Sequence, residues 1–398
     1  MKKSQKPVAV AHGIHWVGAL NPELQKFDVV MKTEFGTSYN AYLVQGTEKT
    51  ALIETVKDGF IEESLALIGQ LIDPAKIDYL ILQHTEPDHS GSIAAMSAAA
   101  PNAKIYCTRA ASMNLPFIAG RQLPIEPVKE GDVLELGGRT LRFIMAPFLH
   151  WPDTMFTYDD QTGVLFTCDA FGCHYAPEHV LESKTDPAFK GARRYYYDCI
   201  VSPFAASVTK AIAHLTELQL PKISVICPSH GPVLDEEPME AVRLYGEWAA
   251  ERKRGDGKTA FIGYVSCYGY TMQLAERLRT AFLGAGWKVN IADLSDISAE
   301  RAAEQIYAAD CIAIGSPTVN ADALPPIWTA LAHVAVPLTR GKKAIAFGSY
   351  GWSGEAVPSV ELRLTQLGMN VLGSYKVRFR PTEESAQKMQ ELVALITA

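Results

Sequence analysis

The segment Gln83–Gly91 carries four potential metal ligands close together: His84, Glu86, Asp88 and His89. Imidazole and carboxylate groups are the side chains that bind borderline to hard divalent metal ions. A loop can turn all four toward one point, whereas a helix or a strand with this spacing would send them in different directions. We therefore predict a metal-binding loop here.

Three further residues of the same type lie downstream. His150, Asp169 and His230 each come after a β-like run and before a turn-forming residue. Because open α/β sheets collect polar site residues at the ends of strands, we expect these three to meet the segment around His84. Seven ligands with one shared carboxylate suit two metals, each with an open position. A single structural zinc would need about four ligands, and thiolates are absent here.

This set of motifs resembles the flavodiiron proteins, whose first domain has the metallo-β-lactamase fold. The resemblance spans essentially the whole chain and includes residues 36–43 and the run His150-Trp151-Pro152-Asp153. It implies seven iron ligands in two sets with one bridge: His84, Glu86 and His150 for one iron, Asp88, His89 and His230 for the other, and Asp169 between them.

Glu86 favours iron over zinc. Hydrolytic zinc relatives of this motif have a third histidine at that position, and a carboxylate there adds negative charge and hardness. A di-zinc hydrolase with a fused flavodoxin domain is the alternative. The sequence departs from the family pattern at Pro87, where many members have an aliphatic residue, and at Lys32-Thr33, where some place a histidine near the metals. The second departure leaves open which gas the metals would reduce, dioxygen or nitric oxide.

A run of three tyrosines, Tyr195-Tyr196-Tyr197, corresponds to a region where family members have a tyrosine pair near the metals. We take Tyr197 as the candidate hydrogen-bond donor beside the metals and as the candidate catalytic residue. Packing in the core or at the surface is the alternative for this side chain.

Three loops in the C-terminal part each follow a predicted strand. The first opens a predicted helix, whose free N–H groups form a site for a phosphate, although a plain N-cap is the alternative. Glycines in the third loop allow close approach of the backbone, and Trp352 offers a face for a ring system. The segment resembles flavodoxin, which implies FMN, and no Gly-x-Gly-x-x-Gly fingerprint of an NAD site follows a strand here. The candidate flavin-binding residues are Ser266, Cys267, Tyr268, Gly269, Tyr270, Thr271, Ser316, Pro317, Thr318, Val319, Asn320, Ser349, Tyr350, Gly351, Trp352 and Gly354.

The run 251–258 is rich in charged residues and contains two glycines. It is therefore the best candidate for a boundary between two domains. We predict an α/β protein with a metallo-β-lactamase-like diiron domain, an αββα sandwich, over 1–250. A linker follows over 251–257, and a flavodoxin-like FMN domain with a doubly wound parallel sheet covers 258–398. Short strands dominate the first part, and strict alternation of five strands with helices is typical of the second.

Composition narrows the class of protein. The 398 residues carry a formal net charge of −7, which disfavours nucleic acid and anionic membranes as general partners. No apolar run reaches the roughly 18 residues of a membrane helix, so we expect a cytoplasmic protein. The 7 cysteines include no Cys-x-x-Cys pair, which argues against a rubredoxin-type, zinc-ribbon or iron–sulfur site and for reduced thiols.

Together these features predict an oxidoreductase that passes electrons from an external donor through FMN to a diiron site. That site would reduce dioxygen to water, nitric oxide to nitrous oxide, or both. The chain ends after a helix, with neither a rubredoxin nor a flavin reductase module, so we expect a separate donor. The resemblance suggests rubredoxin, with reduced deazaflavin as the alternative. A pure electron carrier is disfavoured because all seven ligands are present.

Two further expectations concern partners. We expect a head-to-tail homodimer, or a dimer of dimers, because a two-fold axis can bring the FMN of one chain to the irons of the other. Lys376, Arg378 and Arg380 alternate and so place three cations on one face of an extended segment. The part from Glu251 onward carries 16 Lys+Arg and 14 Asp+Glu, so an acidic donor would be steered to it. An ordinary half-exposed strand is the alternative for this face.

Overall fold

The computed structural model describes residues 6–28, 31–251 and 258–397. The chain divides into two units, Met1–Arg252 and Lys253–Ala398. The predicted linker, 251–257, lies outside the described residues except for Glu251.

Sixteen strands form in the described part of the first unit, most of them short and rich in β-branched or aromatic residues. They are β1 (Val8–Ala11), β2 (Ile14–Trp16), β3 (Ala19–Asn21), β4 (Lys26–Phe27), β5 (Met31–Lys32), β6 (Thr37–Tyr39), β7 (Tyr42–Gln45), β8 (Thr50–Ile53), β9 (Tyr79–Leu82), β10 (Lys104–Thr108), β11 (Ile125–Val128), β12 (Val133–Glu135), β13 (Thr140–Met145), β14 (Met155–Asp159), β15 (Val164–Cys168) and β16 (Val225–Pro228).

The helices of this unit connect the strands. They are α1 (Ile61–Ile68), α2 (Pro87–Ser90), α3 (Ile93–Ala99), α4 (Arg109–Ala119), α5 (Phe189–Tyr196), α6 (Ala205–Glu217) and α7 (Pro238–Glu251), with single 3₁₀ turns at Pro74–Lys76, Glu182–Lys184 and Ser202–Phe204 and a π-turn at Tyr197–Val201. The amino-acid sequence predicts helices over 62–71, 207–218 and 239–254, and α1, α6 and α7 match them to within a few residues. Residues 252–254 of the last lie outside the described residues.

Two mixed sheets form the centre of this unit. The first has the order β1-β2-β7-β8-β9-β10-β11, and the second has the order β12-β13-β14-β15-β16. Residues from both sheets, such as Trp16, Ile81 and Phe166, share one buried cluster, which also includes Leu67 of α1 and Leu115 of α4. The sheets therefore pack face to face, with these helices on the outer face of the first.

A second buried cluster covers the other face of the second sheet. Phe156 and Ile226 pack there against Val208 of α6 and against Val242 and Tyr245 of α7. The order helices, sheet, sheet, helices is the αββα sandwich expected from the sequence.

The second unit alternates strands and helices, with two consecutive helices only between its third and fourth strands. Its elements are β17 (Thr259–Tyr264), α8 (Tyr270–Gly284), β18 (Lys288–Asp293), α9 (Ala299–Ala308), β19 (Cys311–Gly315), α10 (Pro325–Ala332), α11 (Val336–Thr339), β20 (Lys343–Tyr350), α12 (Ala356–Gln366), β21 (Asn370–Arg378) and α13 (Glu383–Thr397). The five predicted strands and the helices between them are present, although β20 and β21 extend several residues beyond the apolar runs 344–347 and 371–373 that predict them.

All five strands of this unit are parallel, in the order β18-β17-β19-β20-β21. One buried cluster joins the sheet to α9, α10 and α12, and another joins it to α8 and α13. Helices therefore cover both faces, as in a doubly wound sheet of the flavodoxin type. The chain reverses direction of winding at β17, so the ends of β17, β19 and β20 open at the position where such sheets bind ligands.

One helical stretch, 189–217, is long and apolar enough by composition to cross a membrane. This is weak evidence for a membrane span, since the core helix of a globular domain passes the same test. The stretch includes Arg193 and Arg194, and Phe189, Val208 and Leu215 pack into the second cluster of the first unit. Its apolar side chains at these three positions therefore have packing partners within the first unit.

Candidate metal centre and flavin site

Strand ends bring the predicted metal ligands together. His84 follows β9, His150 follows β13, Asp169 comes directly after β15, and His230 follows β16. The pairing of β15 with β16 is parallel, so their carboxyl ends carry Asp169 and His230 at the same edge of the sheet. The expectation that these strand ends meet around His84 is confirmed by the contacts described below.

Asp88 and His89 lie on a single helical turn, α2, so the prediction of an unbroken loop over this segment is wrong. Pro87 starts the turn, a position where its fixed φ angle and missing N–H are tolerated. Glu86 stands just before the turn in extended conformation. Because an extended residue precedes the turn, the side chains of Glu86 and Asp88 point in different directions, and both remain within the cluster.

The seven residues form two groups of facing ligand atoms. Six of them are buried and His150 is partly exposed. The ligand atoms of each group lie within 4.8 Å of one another: His84, Glu86, His150 and Asp169 in the first, and Asp88, His89 and His230 in the second.

Within the first group, Glu86 Oε2 lies 3.2 Å from His84 Nε2 and 3.0 Å from His150 Nε2. Within the second, Asp88 Oδ2 lies 3.0 Å from His230 Nε2, and Asp88 Oδ1 lies 3.3 Å from His89 Nε2. Each group therefore combines imidazole nitrogens with one carboxylate of its own.

Asp169 faces both groups, one carboxylate oxygen to each. Its Oδ2 lies 3.5 Å from His84 Nε2 and 3.3 Å from His150 Nε2, while its Oδ1 lies 3.0 Å from His89 Nε2 and 3.4 Å from His230 Nε2. A carboxylate can bind two metal ions through its two oxygens, and this one has the position to do so.

A third possible group, His89, Cys168 and Asp169, shares one residue with each of the first two. Burial raises the pKa of the Cys168 thiol well above its ordinary value, and the Asp169 charge adds to the effect. Because the thiolate is the metal-binding form of cysteine, oxygen and nitrogen ligands are favoured at this centre.

The charges of the cluster stabilise each other against burial. Burial favours the neutral form of His150, but hydrogen bonds and charges from Asp169 and Glu86 outweigh it and raise the pKa of His150 to about 10. Burial likewise opposes the charged form of Asp169, yet His89 and His150 hold its pKa well below the ordinary value. The site is thus built to hold its carboxylates ionised and to attract positive charge.

Hydrogen bonds from behind orient two of the imidazoles. His84 Nδ1 lies 3.2 Å from Asp153 Oδ1, and His230 Nδ1 lies 2.6 Å from the carbonyl oxygen of Ser38. Asp153 also accepts from the backbone N–H of Thr85 at 3.0 Å and from its hydroxyl. With Nδ1 donating to these oxygens, each ring presents Nε2 to the cluster.

We expect Asp153→Asn to weaken metal binding about 10- to 100-fold, because a neutral amide orients His84 less strongly and lowers its basicity. Metal retained after dialysis against a graded chelator series measures the effect. Asp160→Asn is the matched control, since Asp160 is partly exposed and pairs with Arg142. Equal retention by Asp153→Asn and the wild-type protein would contradict this role.

Two buried aromatic residues beside the cluster carry no motif that marks them in the sequence. His174 is 5% exposed, and its ring centroid lies 4.9 Å from that of His230 and 4.9 Å from that of Tyr196. The Thr37 hydroxyl lies 2.9 Å from His174 Nδ1. Burial lowers the pKa of His174 well below its ordinary value, so this ring is neutral. Phe27, near the Lys32-Thr33 departure, packs at 4.2 Å on His174.

The structure places Tyr196, rather than Tyr197, against the cluster. The ring of Tyr196 lies 6.3 Å from that of His230, and the cluster carboxylates contribute, after burial, to raising its pKa. Tyr197 is buried too, and its ring packs on Tyr245 and Trp248. The role predicted for Tyr197 therefore suits its neighbour better.

The three predicted flavin loops are linked by hydrogen bonds. The hydroxyls of Thr271 and Ser349 lie 2.9 Å apart, and the Thr318 N–H donates to the Ser349 carbonyl at 2.9 Å. Gly269 precedes α8 with φ of 78°, a conformation that favours glycine and turns the chain into the helix. The loops after β17, β19 and β20 thus form one continuous surface at the ends of the strands.

Two aromatic side chains of this surface extend into solvent. Trp352 is 100% exposed and Tyr268 is 86% exposed. Single exposed apolar side chains are common on protein surfaces, but these two lie on the loops predicted to bind the flavin. Cys267, next to Tyr268, is also exposed, whereas Thr271 is fully buried at the start of α8.

Comparison with known proteins finds relatives along almost all of the chain. A family model described as "ODP family beta lactamase" matches residues 37–231, and a flavodoxin model matches residues 262–391. The chain is 39% identical over 390 residues to the flavo-diiron protein FprA2 of Clostridium acetobutylicum, covering 96% of each. It is 35% identical to a nitric oxide reductase of Moorella thermoacetica, covering 99% of this chain and 98% of the relative.

Solved structures agree with these relatives. The rubredoxin oxygen:oxidoreductase of Desulfovibrio gigas aligns with a TM-score of 0.70 and 32% identity over 98% of both chains. With a beta-lactamase-like unit, a flavodoxin unit and full-length relatives of this kind, the chain belongs to the flavodiiron protein family.

Proposed function

We propose that this chain takes electrons from an external donor through FMN to a pair of irons, where dioxygen is reduced to water, nitric oxide to nitrous oxide, or both. The observation that carries the proposal is the position of Asp169, whose two oxygens face two separate groups of ligands. One iron would be bound by His84, Glu86 and His150, and the other by Asp88, His89 and His230. Asp169 would bridge them.

The donor atoms present fit two such ions. Both carboxylate oxygens of Asp88 and of Asp169, and both ring nitrogens of His89, are buried without a hydrogen bond of regular geometry in the described part of the chain, although other ligand atoms of the cluster lie as close as 3.0 Å. Buried polar atoms are almost always paired, so atoms left this way and converging on one point indicate ligands for a cation. Three carboxylates offset the charge of oxidised iron, and Glu86 supplies the one that zinc hydrolases replace by histidine.

When bound, the irons supply one electron each and FMN supplies two, which together cover the full reduction of dioxygen. The chain contributes the surroundings. Burial excludes water from the ligands, and the carbonyl of Ser38 and the carboxylate of Asp153 each hold a proton on Nδ1 of a histidine, so that Nε2 is free to bind metal. The partly exposed His150 lies where a small molecule can approach.

The residues of the three flavin loops are also of the types that FMN binding requires. The N–H groups at the start of α8, with the hydroxyls of Ser266 and Thr271, would hold the phosphate at the positive end of the helix dipole. Trp352 would stack on the ring system with the face that is open to solvent. The loops at 316–320 and 349–354 would surround the ring.

Partners and location follow as part of the proposal. We propose rubredoxin as the donor because the related Desulfovibrio gigas protein is a rubredoxin oxygen:oxidoreductase, and reduced deazaflavin is the alternative. The nitric oxide reductase of Moorella thermoacetica supports nitric oxide as a substrate, and the rubredoxin oxygen:oxidoreductase supports dioxygen. We further propose a head-to-tail homodimer, or a dimer of dimers, that works in the cytoplasm.

The test is metal analysis followed by anaerobic turnover. Protein purified without added metal should contain iron and FMN, and with chemically reduced rubredoxin it should consume dioxygen, nitric oxide or both. Comparing the two gases under one donor concentration ranks the substrates. Zinc in place of iron, hydrolysis of a test ester or lactam, and no gas consumption by iron-reconstituted protein would favour the di-zinc hydrolase and overturn the proposal.

A further inference from the structure

The end of the last strand, β21, contacts the loop that carries Trp352. Lys376 Nζ donates to the carbonyl oxygen of Gly354 at 3.1 Å, and Arg378 Nε donates to that of Gly351 at 3.3 Å. Just beyond the strand, the Phe379 N–H donates to the carbonyl of Tyr350 at 2.8 Å. These three contacts therefore join the end of β21 to the backbone before and after Trp352.

The two glycines of the loop leave room for these contacts. A Cβ added at Gly354 would lie 2.8 Å from Lys376 Cδ and 2.9 Å from its Nζ, which is closer than real Cβ atoms approach. A Cβ added at Gly351 would lie 3.1 Å from the Phe379 ring. Lys376 Nζ also lies 5.6 Å from the centroid of the Tyr350 ring. The lysine thus occupies the space that a side chain at Gly354 would need.

Between the two held glycines, the side chain of Trp352 has no cover from the described residues and is 100% exposed. A fixed backbone with a free aromatic face is what a stacking residue needs, because the loop is ordered before the ligand arrives and the ordering cost on binding is smaller.

We propose that Lys376 and Arg378 are positioning residues for the flavin: they clamp the loop over 350–354 so that Trp352 is preset to stack on FMN. This rests on the FMN site of the proposed function. It also changes the interpretation of the three cations predicted to attract a donor, since two of them hold the loop. Arg380 has no hydrogen-bond or ion-pair partner among the described residues and is exposed.

FMN binding to the flavin-depleted full chain tests the clamp. Titration followed by quenching of flavin fluorescence should give a Kd about tenfold higher for Lys376→Met than for the wild type, since a charged hydrogen bond is lost. Lys376→Arg keeps a charged donor and should restore most of the affinity. Arg380→Met, with the same loss of charge four residues along, should stay within about twofold of wild type, which separates the clamp from general electrostatic attraction.

Gly354→Ala provides a second, independent variant because its Cβ displaces the lysine side chain. It should weaken FMN binding as Lys376→Met does, and the double variant should be no weaker than the worse single one, since both remove the same contact. Unchanged Kd for Lys376→Met, an equal loss for Arg380→Met, or strictly additive losses in the double variant would overturn the clamp.

Hydrogen exchange of the amides over 350–354 tests the clamp separately from the proposed FMN site. Faster exchange in the flavin-free Lys376→Met chain than in the flavin-free wild type supports the clamp without any flavin, and equal exchange contradicts it. A wild-type chain that binds no FMN would contradict the proposed function, and the exchange comparison would still decide the clamp.

Discussion

Asp169→Ala is expected to lose most of the iron and to keep its FMN. Asp169 is 1% exposed and faces both groups of ligands, so alanine would remove one carboxylate oxygen from each proposed iron site and leave a gap between the two groups. We expect iron to fall from about two per chain to less than about 0.5, because even a partner behind a ligand is worth 10- to 100-fold in affinity. Gas consumption should fall with the iron.

Iron content by elemental analysis and flavin content by extraction, on the same sample, measure this. Asp160→Ala is the matched control, since Asp160 lies on the turn before β15 and pairs with Arg142 on the outside of the sheet. The control should keep its iron. An Asp169→Ala protein with fully loaded iron would show that this carboxylate does not bridge, whatever happened to the rate.

A mixed dimer should recover about half of the wild-type turnover per dimer if electrons cross between chains. One chain carries Asp169→Ala and lacks iron. The other carries Ser266→Asp, which places a negative charge where the flavin phosphate would bind; Ser266 is the safer position because Thr271 is fully buried and bonded to Ser349. In a head-to-tail dimer such a pair retains one intact flavin and one intact iron pair on opposite chains.

Two different affinity tags allow the mixed dimer to be isolated, and each homodimer of a variant serves as the inactive control. Transfer within a single chain leaves no working pair in the mixed dimer. A correctly assembled but inactive mixed dimer would therefore contradict the head-to-tail proposal. A protein that stays monomeric at all working concentrations and is active would contradict it as well.

Residue type and strand ends were enough to predict from the sequence that the seven candidate ligands lie close together. His84, Asp169 and His230 each follow an apolar strand, and sheet geometry brings such positions to one edge. The regular alternation of the second unit was predictable for the same reason, because strands and helices there have different hydrophobic periods. The one-turn helix α2 was missed, since four residues hold no periodic signal.

The partners behind the ligands could not be predicted, because they depend on distant parts of the chain. Asp153 contacts His84 and Ser38 contacts His230 across 69 and 192 residues, and no local pattern marks either pair. The sequence could not decide between a donor role and packing in the core for Tyr197, for a related reason. Successive residues of a helix point about 100° apart, so only the packing of α5 decides which ring reaches His230.

The clamp on the flavin loop could not be predicted from the sequence, for a third reason. The alternation holds for Lys376 and Arg378, which are both exposed on β21, but Arg380 lies beyond the end of the strand, after Phe379 in a left-handed conformation with φ of 59°. Charge alone suggests a free surface for a partner. The backbone carbonyls of Gly351 and Gly354, which accept from two of these cations, become visible as acceptors only when the loop is folded beside the strand.

The most direct test of the account is a single turnover of the anaerobically reduced protein with dioxygen, while flavin absorbance, dioxygen and hydrogen peroxide are followed together. A fully reduced chain holds two electrons on FMN and one on each iron, so about one dioxygen per chain should be consumed without release of peroxide. The Asp169→Ala protein, with flavin but little iron, should instead be reoxidised slowly with peroxide formed. Peroxide released by the wild type at one per flavin, at the same rate as in Asp169→Ala, would contradict the account.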